Sequence, residues 1–353
     1  MGLFEKELET SRRWVEVAHS AEANRWTGRA LLSLDRREEA EQAFRRAHAI
    51  DGKQWPAAAV ASWLMSQGRA QEAEALAREG LAEAGKRPAP AKGAGDAEPF
   101  GEASWYARLL VASLAQQGRI HEAEAFIGEL ARAGAPPQAL AGLKMELGSI
   151  TRSPSMIRTA RADAERAGLF RTAPPLVGTA ITAAFVGALD DAAALMESAR
   201  AAADWPDVSP FDVEAYEVVT LWRSGRLAEA EAKLRPMADS QSIGRRYNVL
   251  KALGELQIQA GRDAEGAASL ERARTLPWPA GGEGRGANES NGLFLLAGAY
   301  ERLGERQKAL ERVDELLKGW QRADPDLPRL AEARAMKKRL APKTAQSTQA
   351  TQR

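Results

Sequence analysis

The chain has 353 residues, 44% hydrophobic and 27% charged, and its 49 Lys and Arg against 48 Asp and Glu give a formal net charge of +1. That length exceeds one ordinary core, so two domains or one extended repeat array is expected, and the charge balance argues against a nucleic-acid or anionic-membrane footprint unless one face segregates it. The absence of cysteine excludes disulfides, thiolate metal sites and cysteine nucleophiles, while abundant Ala and scarce β-branched runs point to an all-helical chain.

Residues 1–20 read as a leading helix, with Leu3, Phe4, Leu8, Trp14, Val15 and Val17 as apolar positions. Glu5, Glu7 and Glu9 stand where a secretory signal carries its apolar run, so no export signal is expected and a cytoplasmic location is the expectation. A pattern then recurs: LDRREEAEQAF from Leu34, QGRAQEAEALAREGL from Gln67, QGRIHEAEAFIGEL from Gln117, SGRLAEAEAKL from Ser224, AGRDAEGAASL from Ala260 and LGERQKALERVDEL from Leu303. Each copy has a turn residue, usually Gly, then a polar pair, a small residue five positions after the turn and an apolar residue four beyond that. The pattern describes one helix ending and another starting. The small residue lies where two antiparallel helices approach to about 8–10 Å and only Gly or Ala fits.

The turns fall at Asp35, Gly68, Gly118, Ser153, Gly187, Gly225, Gly261 and Gly304, at intervals of 33, 50, 35, 34, 38, 36 and 43. The two long intervals contain Pro- and Gly-rich stretches near 85–102 and 277–290, which read as loops inserted into the array. Thr172 to Leu189 is the longest uncharged run, but Pro174 and Pro175 shorten it, so a buried repeat helix is expected there and not a membrane span. Pro236 is expected to end or bend its helix early. The array is assigned to 21–317, a capping helix to 318–340, opened by Asp326 and its neighbours, and a disordered tail to 341–353.

On these copies the chain resembles tetratricopeptide repeat proteins over 21–317. Residues 297–340, with Trp320 ahead of Ala323, Asp324, Pro325, Asp326 and Pro328, are similar to carboxy-terminal repeats attached to many bacterial serine/threonine protein kinases and multidomain transcriptional regulators. The resemblance implies an all-α solenoid, a right-handed superhelix of about eight helical hairpins with a C-terminal capping helix. It implies a non-enzymatic scaffold or sensor that binds a peptide or protein partner in its concave groove. One alternative is the regulatory region of a larger kinase or transcriptional regulator; the sequence shows no Gly-rich phosphate loop with a strand lysine, no HRD or DFG triplet and no winged-helix stretch. The other is a helical-toroid hydrolase, which requires a closed array and two carboxylates facing each other at about 5–10 Å.

Among residues able to carry chemistry, His19, His48 and His121 are the only histidines, too sparse to suggest a metal site, and no cofactor is expected. His121 reads as a surface residue of its turn, and the pairs Asp190/Asp191 and Asp324/Asp326 read as caps of the helices that follow them. The resemblance places the first helix of each hairpin on the groove, where Arg25, Arg29, Trp55, Arg108, Trp222, Asn248, Lys251 and Asn291 form the candidate partner-binding set. Guanidinium suits carboxylates, indole suits apolar anchors and amides suit an extended backbone. The lysine and asparagine clamp for carboxy-terminal peptides does not map, because Ala59 stands where asparagine is required. A protein or peptide partner is expected, with self-association allowed and neither nucleic acid nor membrane insertion.

Overall fold

The computed structural model describes residues 2–34, 36–51, 56–84, 101–169, 172–239, 243–276 and 284–341. They form eighteen α-helices and one short 3-10 turn, with no strand among the described residues. Helix α1 (Gly2–Ala18) leads. Eight hairpins follow: α2 (Ala21–Ser33) with α3 (Arg37–Asp51), α4 (Pro56–Ser66) with α5 (Ala70–Ala84), α6 (Gly101–Gln116) with α7 (Ile120–Arg132), and α8 (Pro137–Thr151) with α9 (Pro154–Arg166). The second four are α10 (Ala173–Phe185) with α11 (Leu189–Arg200), α12 (Pro210–Arg223) with α13 (Leu227–Ala238), α14 (Ile243–Gln259) with α15 (Asp263–Arg274), and α16 (Gly284–Arg302) with α17 (Arg306–Gly319). Helix α18 (Leu330–Leu340) closes the C-terminal end.

The turns work through backbone geometry. Gly68, Gly118, Gly187, Gly225, Gly261 and Gly304 all have φ between 72 and 92°, the left-handed conformation that costs glycine nothing. The residue after each glycine donates back across the turn, as Arg119 N does to Leu114 O at 3.0 Å, so the last carbonyls of the first helix are satisfied. In the fourth hairpin Arg152 takes this conformation, with φ 54°, and the Ser153 hydroxyl accepts from Met156 N at 3.3 Å to cap α9. Asp35 lies outside the described residues.

Behind each turn the small residue is sealed: Ala40, Ala73, Ala123, Ala192, Ala230 and Ala309 are all 0% exposed. A close backbone crossing joins α14 and α15, where a Cβ on Gly266 would lie 2.5 Å from Ile258 Cγ1 and 2.8 Å from the Gly254 carbonyl oxygen. One of those atoms is backbone, so Gly266→Ala forces the helices apart. That overpacking costs about 1–3 kcal/mol and outweighs the gain of about 1 kcal/mol that alanine brings to a helix. Gly142 of α8 has open space at its Cβ position, so Gly142→Ala keeps the helical gain alone. In thermal unfolding followed by circular dichroism the first substitution is expected to lower the midpoint and the second to hold or raise it. Equal midpoints would show the crossing to be looser than described.

Two boundaries differ from the sequence reading, and one helix runs past its proline. Helix α16 begins at Gly284, inside the stretch assigned to a loop, because its Leu293, Leu296 and Ala297 face supports the whole helix once packed. The cap begins at Leu330, preceded by turns over 321–329 in which Arg329 has φ 72°. Helix α13 continues through Pro236 to Ala238. Trp55, residues 85–100 and residues 342–353 lie outside the described residues. The uncharged run around Pro174 folds as the 13-residue α10, and no helix among the described residues is long and apolar enough to cross a membrane.

The array does not stay extended. Helix α16 packs across α4 and α6, bringing the C-terminal hairpin onto the N-terminal half. The Ser290 hydroxyl donates to Gln116 O at 2.9 Å and Asp324 N donates to Gly118 O at 3.0 Å. The N-terminal core, from Leu8 to Leu147, and the C-terminal core, from Ala267 to Leu340, stay separate, with two further clusters between them in sequence, over 157–219 and 218–273.

Candidate functional site

The first helices of hairpins five, six and seven form a cleft of about 320 Å³. Its apolar surface includes Ile181 and Phe185 of α10, Phe211, Val218 and Val219 of α12, and Ala252 of α14, with Leu234 and Met237 of α13. Positions three and four apart on a helix share a face, so α14 presents Asn248, Lys251, Ala252 and Glu255 to this cleft as one row. Asn248 is exposed, while Lys251 and Glu255 are 7% and 5% exposed.

Glu255 is the hub. Its carboxylate takes Arg152 Nη2 at 2.5 Å, Lys251 Nζ at 3.3 Å and Asn291 Nδ2 at 2.8 Å. Burial alone would raise the pKa of this carboxyl, but the charges of Lys251 and Arg152 and their hydrogen bonds prevail and hold it at about 2. It therefore stays ionised at neutral pH and is a poor proton donor. Burial lowers the pKa of Lys251, with Glu255 opposing. Asn291 also accepts a hydrogen bond from Arg329, whose guanidinium stacks on Phe294 at 4.9 Å.

The structure brings together four of the eight sequence candidates. Lys251 and Asn291 meet at Glu255, Asn248 lies on the same row, and Trp222 stands behind the cleft. Trp222 is buried, its indole N–H donates to Gln259 Oε1 at 2.6 Å, and it meets Phe185 edge-on at 6.1 Å, so it supports the wall and presents no free indole to a ligand. Three others sit apart. Arg25 pairs with Glu22 at 3.3 Å, Arg29 stacks on Trp26 at 5.4 Å, and Arg108 pairs with Glu146 at 3.2 Å while lying over Trp105 at 5.5 Å. Burial lowers the Arg29 pKa, opposed by Glu22 and reinforced by Arg25. Trp55 is outside the described residues.

Sequence reasoning missed Phe185, Glu255, Arg152, Arg223 and Arg329. Arg152 offered a signal, since an arginine occupies the turn where most copies carry glycine, and a side chain in a left-handed conformation is strain that a site can use. Phe185, Arg223 and Glu255 depend on how successive hairpins pack and Arg329 on the return of the C-terminal segment, neither of which local spacing encodes.

His121 needs correction. Its side chain is exposed, as expected, but carboxylates do reach it: Asp326 Oδ2 lies 3.3 Å from Nε2 and Asp324 Oδ2 lies 3.7 Å from Nδ1. These three residues have ligand atoms within 4.8 Å of one another, a group with metal-ligand chemistry that spacing along the chain could not show. The two carboxylates face opposite ring nitrogens, and Asp324 Oδ2 already accepts His121 N–H at 2.8 Å. The arrangement is that of a bridge across the seam. Asp324 accordingly caps α7 and not the helix that follows it in sequence.

No family model matches the chain, and no curated protein matches it. Among solved structures it is similar to the TPR domain of P58(IPK), at 14% identity and a TM-score of 0.29 over 96% of this chain and 94% of that one. It is also similar to the pentatricopeptide repeat protein PPR10 from maize, at 19% identity and a TM-score of 0.33 over 84% of this chain and 44% of that one. On its own eight hairpins, left-handed glycine turns and sealed small residues, the chain is an all-α solenoid of tetratricopeptide-like repeats.

Proposed function

We propose that the chain is a non-catalytic docking module that binds an extended segment of a protein partner in the cleft between α10, α12 and α14. The observation that carries this reading is the cleft itself: an apolar floor of phenylalanine, isoleucine and valine beside an exposed amide, Asn248, on a rigid helix. Such a surface takes an apolar anchor side chain, while the amide satisfies the backbone of the bound segment. Arg25, Arg29 and Arg108 lie on other first helices and serve, in this reading, as outlying contacts for a longer partner.

Ala215 lines the cleft from α12, and an indole at that position fills the space an anchor would take. A partner captured from the native cell by the wild-type chain is expected to lose at least about tenfold in affinity for Ala215→Trp, equivalent to about 1.4 kcal/mol, while the circular dichroism spectrum is unchanged. Equal capture by a folded Ala215→Trp would move the docking surface elsewhere.

A further inference from the structure

Three cationic groups converge on the ring of Phe185, at the C-terminal end of α10. The guanidinium carbons of Arg152 and Arg223 lie 4.8 and 5.4 Å from the ring centroid, and the Lys251 ammonium lies 5.9 Å from it. They arrive from three hairpins: Arg152 from the turn after α8, Arg223 from the last position of α12 and Lys251 from α14.

Their charges are unevenly matched. Glu255 serves Arg152 and Lys251 at 2.5 and 3.3 Å. Arg223 has no ion-pair partner among the described residues; its Nη2 donates to the Phe185 carbonyl, and its Nε is shut off from solvent without a hydrogen-bond partner. A phenyl face attracts a cation but does not neutralise it. Burial and the neighbouring charge of Arg152 both lower the Arg223 pKa, with Glu255 opposing them, so the two like charges repel beside the ring.

Buried or half-buried positive charge without a counter-charge is unfavourable, and an entering anion relieves it. We infer that the space between Arg152 and Arg223, over Phe185, is a binding site for a doubly charged oxyanion, a phosphate or a phosphate ester. Two guanidinium groups offer planar forks of N–H donors that match a tetrahedral oxyanion, which a spherical anion such as chloride cannot engage in the same way. Phe185 and Lys251 also line the cleft between α10, α12 and α14, so that cleft adjoins the cationic cluster. The site stands on the arginine pair and does not need a peptide in the cleft.

The test is isothermal titration of the full chain with inorganic phosphate, with sodium chloride adjusted to hold ionic strength constant. Saturable phosphate binding is expected, with chloride giving none. Arg223→Met is expected to weaken phosphate binding at least about tenfold, and Arg223→Lys, which keeps the charge and loses the fork, by less. Arg226→Met removes an exposed arginine paired with Glu229 and is expected to leave binding unchanged. Phosphate heats indistinguishable from those of chloride, or wild-type binding by a folded Arg223→Met or Arg223→Lys, would overturn the assignment. A parallel titration with O-phosphoserine separates the sources: binding of both compounds assigns the site to phosphorylated side chains as well as free phosphate, and binding of phosphate alone assigns it to the free anion.

Discussion

Replacing Glu255 by Gln is expected to lower the stability of the chain by about 3–5 kcal/mol, the usual consequence of removing one partner from a buried charge network. Glu255 is nearly sealed, with a side chain 4% exposed, and Lys251 at 8% has little access to water in its place. The glutamine keeps the volume and one acceptor but removes the Glu255 charge from Arg152 and Lys251. The acid limb gives an independent readout. The carboxyl titrates at about 2 in the folded chain and at about 4.3 when unfolded. Because the folded value is depressed, its contribution is fully present above the unfolded value and is lost as pH falls through the folded one. The difference corresponds to about 3 kcal/mol. Lys251 acts with the opposite consequence at neutral pH: its lowered pKa is a cost there, relieved as pH rises toward the unfolded value. Urea unfolding followed by tryptophan fluorescence at pH 7 and at about pH 3 should show the wild-type advantage over Glu255→Gln shrinking in acid. An advantage unchanged by acid would mean that Glu255 is not held as a buried anion.

The sequence made the hairpins legible because their determinants are local. A left-handed glycine, a small residue five positions on and an apolar stripe are set by neighbours within one turn of helix, and they recur in register. The candidate site was only half legible for the same reason. Asn248 and Lys251 could be placed on a first helix by counting back from Gly261, but the partner that fixes Lys251 is Glu255, and the partners that fix Glu255 are Arg152 and Asn291, 103 and 36 residues away. His121 shows the limit most plainly. Its motif copy predicts a solvent-facing side chain, which it has, yet Asp324 and Asp326 come to it from about 200 residues further along the chain. Contacts of that kind depend on how the repeats curve, and curvature is the sum of small rotations that no single copy encodes.

That closure can be separated from the turn it rests on by comparing Gly118→Ala with Gly68→Ala. Both glycines are left-handed, with φ of 73 and 72°, so both substitutions carry the same backbone penalty of about 1–2 kcal/mol. Their surroundings differ. The Cβ added at Gly68 meets nothing within 4 Å, whereas the Cβ added at Gly118 would lie 2.6 Å from Leu327 Cδ2 and 2.8 Å from Ala323 Cβ. Leu327 and Ala323 belong to the segment that also carries Asp324, whose carboxylate caps α7 and whose N–H reaches the Gly118 carbonyl. Displacing them releases both hydrogen bonds and the bridge to His121 together. Since the two hydrophobic cores do not merge across the seam, a few kcal/mol lost there shifts the population toward an open array and leaves the hairpins intact. Small-angle scattering is expected to show a larger maximum dimension for Gly118→Ala and an unchanged one for Gly68→Ala, with equal helix content in both. Asp324→Ala, which leaves the turn untouched, is expected to open the array in the same direction. Identical scattering from all three variants would mean that α16 packed on α4 and α6 holds the halves together without this segment.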